Sequence, residues 1–411
     1  HLLVKKDPWQ NRARFILGTI PTVRSVAIAI WINTGSRNED SVNNGISHFL
    51  EHMFFKGTSN RSAKEIAESF DRIGGQVNAF TSKEYTCYYA KVLDDHAPYA
   101  LDILGDMFFN STFAEEELKK EKNVVCEEIK MYEDTPDDIV HDILSQAVFE
   151  KHPLGYPILG TEKILDTINS DTLKQYVYDH YTPDKVVISI AGNVDESFIR
   201  QVEGLFGSYE GGKARPELEV PTFHSNKIVR RKDTEQAHLC LGFNGYDVGN
   251  ENIYSLITLN NVLGGSMSSR LFQNVREEKG LAYSVYSYHT SYQDNGLVVI
   301  YGGTGANQVN ELFDTIQDTL SELRNDGITQ KELENCKEQL KGSLMLSLES
   351  TNSRMSRNGK NELLLGRHRS LDDIVELIDA VSLNSVNQCI EDIFTDSYAA
   401  ALLGPQDKWN F

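Results

Sequence analysis

The two halves of this 411-residue chain repeat the same order of predicted elements, and this repeat constrains the fold more than any other feature. Each half contains a β-rich run, a helical segment, a glycine and then a pair of strands. The strands are predicted at 26–32, 77–81 and 85–92 in the first half and at 237–243, 283–288 and 297–301 in the second. Self-similarity of this kind indicates a duplicated structural unit. Strands joined by short turns favour antiparallel pairing, so we predict an α+β protein of two homologous domains, each a mainly antiparallel sheet with helices packed on one face.

The repeat can be followed to single residues in the long helical hairpin into which each half continues. Phe113 and Leu118 match Ile328 and Leu333, and the members of both pairs are 215 positions apart. A polar stretch that contains glycine and proline separates the halves, as is typical of a linker. The predicted organisation is a first domain over 1–208, a linker over 209–222 and a second domain over 223–411.

Charge and cysteine content narrow the partners and the compartment. Lys and Arg total 40 against 60 Asp and Glu, and the net charge of -20 argues against nucleic acid or an anionic membrane as a partner. The 5 cysteines are scattered without a C-x-x-C pair, which argues against a disulfide framework or a cysteine zinc site and favours a reducing compartment. The apolar run 25–32 is far shorter than the ~18 residues of a membrane helix. We therefore expect a cytoplasmic protein that does not span a membrane.

A helix predicted from Asn43 to Lys56, ended by Gly57, carries three side chains suited to metal chemistry. His48, Glu51 and His52 fall on one of its faces, and two imidazoles four residues apart are the geometry by which H-E-x-x-H binds zinc. The order here is the inverted H-x-x-E-H, itself a peptidase signature. The alternative is two ordinary histidines beside a solvent-facing glutamate, because so short a pattern also arises by chance. A catalytic zinc site ordinarily has three protein ligands. A third candidate ligand elsewhere in the chain would therefore favour a zinc site over two ordinary histidines.

A second helix, predicted from Glu115 to Tyr132, supplies candidates for that ligand. Leu118 and Val125 recur at a spacing of seven residues, and Glu121 and Glu128 stand at intervening positions of the same seam. A carboxylate on a buried seam is costly unless it is paired, hydrogen-bonded or bound to a metal. The pair therefore predicts a bound cation, with a salt bridge to Lys or Arg as the alternative.

The run from Gly45 to Thr58, GISHFLEHMFFKGT, resembles the signature of the pitrilysin/insulinase family of zinc metallopeptidases, in particular its mitochondrial-processing-peptidase-like bacterial branch. The resemblance covers nearly the whole chain, the duplication included, and is weakest from His1 to Thr19. It implies that the two domains form half of a clam-shell. Family members carry a glutamate ligand at a fixed spacing after the second histidine, which falls on Glu128, and a supporting glutamate seven residues earlier, at Glu121.

The resemblance also implies a mechanism. One zinc ion per chain would be held by His48, His52 and Glu128, and it would activate water as the nucleophile and polarise the scissile carbonyl. Glu51 would be the general base because it shares the helical face without being needed as a ligand. Glu121 would orient a liganding imidazole.

The second half lacks the H-x-x-E-H pattern but contains a different segment that resembles one found in the family. No H-x-x-E-H recurs, and the counterpart of Glu128 is Ser343, so we predict a metal-free domain. The segment 270–283 resembles the one whose arginine and tyrosine hold the substrate near the zinc, which are Arg276 and Tyr283 here. Arginine can bind a peptide carbonyl and tyrosine can stabilise an oxyanion. A solvated Arg on a charged helix and an ordinary strand Tyr are the alternative.

The strand that follows Gly74 and Gly75 is similar to the family's edge strand, to which the substrate backbone adds as an extra strand. The implied substrate-binding residues are Asn78, Ala79 and Phe80. Recognition of this kind contacts backbone atoms and is therefore tolerant of substrate sequence.

The expected function is that of a metalloendopeptidase, an inverzincin, which hydrolyses peptides or unfolded polypeptides enclosed in a dimeric chamber. A self-sufficient family member has four such units and this chain has two, so it needs a partner. Because the chain retains both the zinc ligands and the Arg/Tyr pair, a homodimer is favoured. The alternative is a non-catalytic structural or assembly subunit related to respiratory-complex core proteins, against which the intact set of His48, Glu51, His52 and Glu128 argues.

Overall fold

The elements are taken from a computed structural model that describes residues 2–5, 7–212, 217–406 and 408–411. Residues 213–216 of the predicted linker lie outside the described residues. The strands are β1 (Leu2–Lys5), β2 (Arg14–Thr19), β3 (Ser25–Ile32), β4 (Gln76–Thr81), β5 (Thr86–Leu93), β6 (Val186–Gly192), β7 (Lys227–Arg231), β8 (Gln236–Asn244), β9 (Ala282–Ser291), β10 (Gly296–Gly305) and β11 (Ala399–Gly404). The helices are α1 (Ile46–Met53), α2 (Ala63–Arg72), α3 (Ala97–Asn110), α4 (Glu115–Glu133), α5 (Pro136–Phe149), α6 (Glu162–Leu165), α7 (Ser170–His180), α8 (Glu196–Phe206), α9 (Ile253–Gly264), α10 (Val309–Asp326), α11 (Gln330–Ser347), α12 (Thr351–Leu365), α13 (Leu371–Asp379) and α14 (Leu383–Ile393).

The first sheet has the strand order β1-β2-β6-β3-β5-β4. Its β2–β6 pair is parallel and its other pairs are antiparallel. The central strands β3 and β6 are buried at nearly every position, which explains why they read as almost continuous apolar runs and do not alternate. One face of this sheet packs on the core that contains α1, α3 and α8.

The second sheet repeats the topology of the first. Its order, β7-β11-β8-β10-β9, matches β2-β6-β3-β5-β4 strand for strand, and its β7–β11 pair is again the parallel one. The long helices α4 and α11 begin at Glu115 and Gln330, so their starts keep the 215-residue spacing. The predicted α+β fold of two homologous, mainly antiparallel sheets is confirmed.

Each sheet also buries its second face against a helix from the opposite half of the chain. Contacts divide the chain into one compact unit of 1–130, 156–218 and 345–368 and another of 131–155, 219–344 and 369–411. In the first unit α12 packs on β2, β3 and β6, and in the second α5 packs on β7, β8 and β11. The predicted domains are each one continuous stretch of chain. The compact units instead combine segments that are distant in sequence, because apolar faces are buried against the segments that lie next to them in space. In the described part of the chain, no helix is long and apolar enough to cross a membrane.

Candidate metal centre

Helix α1, which carries the H-x-x-E-H residues, is shorter than predicted because Gly45 ends the preceding loop. Gly45 has φ 102°, a left-handed conformation that side chains rarely adopt. A Cβ at Gly45 would lie 2.9 Å from the Cα of Gly160, whose own φ is 73°. The loop before the helix is thus held by a backbone contact that only two glycines allow. The helix therefore begins at Ile46, and the prediction of a start at Asn43 was wrong.

The N-terminus of α1 is capped by the buried carboxylate of Glu39. Oε1 accepts hydrogen bonds from the backbone N–H of Gly45 at 2.9 Å and the side-chain amide of Asn44 at 3.0 Å, and Oε2 accepts from the N–H of Ser47 at 2.8 Å. Burial raises the pKa of Glu39, while the hydrogen bonds from Gly45 and Ser47 oppose that rise. A carboxylate here also faces the positive end of the helix dipole, so Glu39 fixes the start of the helix that carries His48 and His52.

The structure brings His48, His52 and Glu128 together. Their potential ligand atoms all lie within 4.8 Å of one another, and they form the one such group of His, Cys, Asp and Glu side chains in the residues that the structure describes. Nε2 of His52 is 3.0 Å from Oε1 of Glu128, and Nε2 of His48 is 3.5 Å from Oε2. The neighbouring Glu127 on α4 is exposed, and its Oε1 lies 3.4 Å from Nζ of Lys130.

Behind this group, Glu121 and Lys56 fix the ring of His52. Oε2 of Glu121 lies 3.0 Å from Nδ1 of His52, and its Oε1 lies 2.9 Å from Nζ of Lys56. Burial alone would raise the pKa of Glu121, but hydrogen bonds from His52 and Lys56 lower it. Glu121 is therefore an anion that accepts from both groups, and Lys56 balances its charge.

The donor set fits a cation such as zinc. A carboxylate only accepts, so Glu121 places the proton of a neutral His52 on Nδ1 and leaves a lone pair on Nε2 facing Glu128. Burial would lower the pKa of His52, but the hydrogen bond to Glu121 and the charges of Glu128 and Glu51 raise it. Burial, and to a smaller extent the charge of the nearby His52, lowers the pKa of His48 to about 3, so that ring is neutral. Two imidazole nitrogens and a carboxylate oxygen are ligands that zinc commonly takes.

Glu51 lies beside the ligands and is held by a side chain from β4. The hydroxyl of Thr81 donates a hydrogen bond to Oε1 of Glu51 at 2.9 Å. Burial raises the pKa of Glu51, which the Thr81 hydrogen bond and His52 oppose. Glu51 is thus a half-buried carboxylate near the metal ligands with one oxygen fixed.

Arg276 and Tyr283 lie together in the second unit. The guanidinium carbon of Arg276 is 5.0 Å from the ring centroid of Tyr283 and 4.8 Å from that of Phe272. Arg276 belongs to a π-helical segment, Phe272–Glu278, and Tyr283 lies near the start of β9. Tyr283 is 80% exposed, so its hydroxyl is open to a binding partner.

The predicted substrate-binding residues lie on β4, the edge strand of the first sheet among the described residues. Asn78 and Phe80 lie on the more exposed face of the strand, where the ring of Phe80 contacts those of Trp31 and Tyr85, while Ala79 lies on the opposite face and is half-buried. The side-chain oxygen of Asn78 accepts from the N–H of Ala79 at 2.8 Å. An added strand that paired with this N–H would have to displace the Asn78 side chain.

Three residues that hold α1 or the side chains of the candidate site were not predicted from the sequence: Glu39, Lys56 and Thr81. Lys56 follows His52 by four residues, and Thr81 shares strand parity with Ala79, so weak local signals existed for both. Glu39 lies in a loop and has no periodic pattern to indicate it.

Comparisons with known proteins find relatives of this chain over nearly its whole length. The family profile described as insulinase (peptidase family M16) matches residues 14–162, and the one described as peptidase M16 inactive domain matches residues 167–340. A Bacillus subtilis protein named an uncharacterized zinc protease is 68% identical over 403 residues, covering 98% of this chain and 98% of the relative. A similarly named protein of Streptomyces coelicolor is 40% identical over 98% of this chain and 90% of the relative.

Two solved structures share the fold. A protease from Helicobacter pylori superposes with a TM-score of 0.91 at 22% identity, over 98% of this chain and 100% of that one. A peptidase M16 inactive domain from Pseudomonas fluorescens superposes with a TM-score of 0.92 at 21% identity, over 100% of this chain and 99% of that one. The chain belongs to peptidase family M16, the insulinase family, which confirms the resemblance to pitrilysin/insulinase metallopeptidases.

Proposed function

We propose that this chain is a zinc-dependent endopeptidase that hydrolyses peptides or unfolded polypeptides. The observation that carries the proposal is the convergence of His48, His52 and Glu128, with the carboxylate of Glu51 beside them. The names of the relatives as zinc proteases support it. The cytoplasm remains the predicted location, on the grounds of the scattered cysteines.

His48, His52 and Glu128 would hold one zinc ion per chain. Zinc bound there would supply a Lewis acid that makes water more acidic and polarises a peptide carbonyl. Glu121 keeps Nε2 of His52 directed at the ligand group through the 3.0 Å contact to Nδ1, and Lys56 compensates its charge. Loss of such supporting contacts typically weakens metal affinity.

Glu51 acts as the general base and then as the general acid. Its carboxylate takes the proton of the attacking water and passes it to the leaving amine. Because Glu51 is not needed as a ligand, the carboxylate oxygen that does not accept from Thr81 is free for this proton. A half-buried setting keeps the proton from exchanging freely with bulk water.

Substrate binding involves β4 and the Arg276/Tyr283 pair. The substrate backbone adds to β4 next to Asn78, Ala79 and Phe80, and strand addition accepts many sequences. Arg276 binds a peptide carbonyl, and the exposed hydroxyl of Tyr283 stabilises the oxyanion of the tetrahedral intermediate. We place both groups in a homodimeric chamber, in which each copy supplies this pair to the zinc site of the other.

Metal analysis combined with a peptide-library digest tests the proposal. The purified chain should carry about one zinc per polypeptide, cleave library peptides internally, lose this activity with a chelator and regain it with zinc. A chain that binds no zinc and cleaves no peptide would instead support the structural-subunit alternative. Cleavage that survives the chelator would contradict the metal mechanism.

A further inference from the structure

We propose that Thr81 is a positioning residue, whose hydroxyl holds the carboxylate of Glu51 in the orientation that catalysis requires. The inference rests on the proposed function, because it concerns how Glu51 acts as the base. The observation behind it is the 2.9 Å hydrogen bond from Thr81 Oγ1 to Glu51 Oε1.

The geometry of β4 explains how this hydroxyl reaches α1. Side chains alternate along a strand, and Val77, Ala79 and Thr81 share the half-buried face. Val77 and Ala79 pack against the core that contains α1, which brings Thr81, the last residue of β4, next to Glu51. Across the hairpin Thr81 pairs with Thr86, so its backbone is fixed by the sheet.

The hydrogen bond leaves one carboxylate oxygen of Glu51 free for proton transfer. A hydroxyl that donates to Oε1 restricts rotation of the carboxylate and leaves Oε2 to take the proton. Threonine is suited to this because its β-branched side chain has few χ1 rotamers. The base is thereby attached to the same strand along which the substrate backbone is proposed to add, so Thr81 connects the substrate-binding strand with the group that moves the proton.

Three variants of the full chain test the role: Thr81→Val, Thr81→Ser and the control Thr86→Val. Valine keeps the shape and removes the hydroxyl, so we expect kcat to fall by about 10-fold to 100-fold, the size expected for one hydrogen bond to a charged group. KM and zinc affinity, measured by competition with a chelator, should stay within about twofold of wild type. Thr81→Ser should restore most of kcat. Thr86 donates to the carbonyl of Thr34, so Thr86→Val should lower stability but not kcat.

A measurement that needs no activity separates this inference from the proposed function. In crystals of the zinc-loaded protein, Glu51 should have one side-chain position in wild type and Thr81→Ser, and a changed or multiple position in Thr81→Val. An unaltered Glu51 in Thr81→Val would overturn the inference, as would an unchanged kcat or a parallel loss of zinc. A wild-type chain that binds zinc but cleaves no peptide would defeat the proposed function, and the position of Glu51 would still decide the role of Thr81.

Discussion

Helices α4 and α11 occupy equivalent positions of the duplicated fold, yet among the described residues only α4 contributes to the candidate metal centre. Leu118 and Leu333 are buried at matching positions, so the packing seam is retained. At the same 215-residue spacing, Glu121 is replaced by Cys336 and Glu128 by Ser343. Cys336 is buried and burial raises its pKa, so it is a neutral thiol and not a metal-binding thiolate.

The difference shows that the fold and the chemistry of this chain are separable. The apolar seam that packs α4 and α11 survives in both copies, whereas the polar positions differ. A carboxylate is retained on such a seam only where something compensates its charge, and Glu121 has both His52 and Lys56. The first copy therefore carries the candidate metal ligands, and the second carries Arg276 and Tyr283.

The largest expected effect is the loss of peptide hydrolysis in Glu51→Gln, a change in the copy that carries the candidate metal ligands. Glutamine keeps the size but cannot accept the proton, so activity should fall by roughly 100-fold to 10,000-fold while zinc stays near one ion per chain. Peptide hydrolysis and metal analysis on the same samples measure both. Loss of the metal together with activity would show that Glu51 is a ligand and not the base.

The next largest effect should come from Glu128→Gln, with Glu127→Gln as the matched control. Removing the anionic ligand should weaken zinc affinity by about 100-fold or more, because two neutral imidazoles remain. The neighbouring Glu127 is exposed and paired with Lys130, so Glu127→Gln should bind zinc normally. Chelator competition compares the two. Full zinc retention and near-normal hydrolysis in Glu128→Gln would make Glu127 or Glu121 the third ligand.

A smaller, partial effect should appear when two inactive variants, Glu51→Gln and Arg276→Ala, exchange subunits. If the second unit of one copy serves the zinc of the other, a mixed dimer has one complete site. Activity should return to about a quarter of wild type, since roughly half of the dimers are mixed and each has one good site of two. Absence of recovery despite demonstrated exchange would mean that the copies do not complete each other's sites.

The smallest expected effect is on stability. It concerns the sheet faces that α12 and α5 cover, which also differ between the two units. In the first unit this face is apolar around Trp31, whereas in the second unit His141 on α5 contacts the hydroxyls of Tyr288 at 2.7 Å and Tyr286 at 3.3 Å. Burial lowers the pKa of His141 from 6.5 to about 4, against the opposing charge of Asp137. Between these pH values the unfolded chain binds a proton that the folded chain does not, so stability falls as the pH drops from about 6.5 to about 4.

The variant His141→Gln should therefore flatten the pH dependence. It should be less stable than wild type at pH ~7, because it weakens the bond to Tyr288, and the difference should shrink by about 1–3 kcal/mol at pH ~4.5. Urea unfolding of the zinc-free proteins at both pH values measures this. Parallel losses of stability in the two proteins would exclude His141 as the source of the acid sensitivity.

Local spacing predicted much of the fold and of the ligand group. The strands β3, β4, β5, β8, β9 and β10, the long helix α4 and the duplication were predicted because apolar periodicity and turn residues act over a few positions, whereas β1, β2, β6, β7 and β11 were not predicted. The shared helical face of His48, Glu51 and His52 follows from 3.6 residues per turn, and the placement of Glu121 on a buried seam from the seven-residue spacing. The start of α1 was predicted wrongly because Gly160, which contacts Gly45, is distant in sequence, and because Glu39, which caps the helix, lies in a loop without a periodic pattern.

The sequence by itself thus determined which side chains share a helix face and which elements are repeated, since both depend on local backbone geometry. Only the tertiary structure decided that Thr81 donates to Glu51, that Lys56 and His52 meet on Glu121, and that α5 and α12 each cover the sheet of the other half. These contacts join residues from separate segments. They form because apolar faces are buried together and buried charges are paired, and both depend on which residues are close in space. The spacing of residues along the chain does not show which distant segments come together.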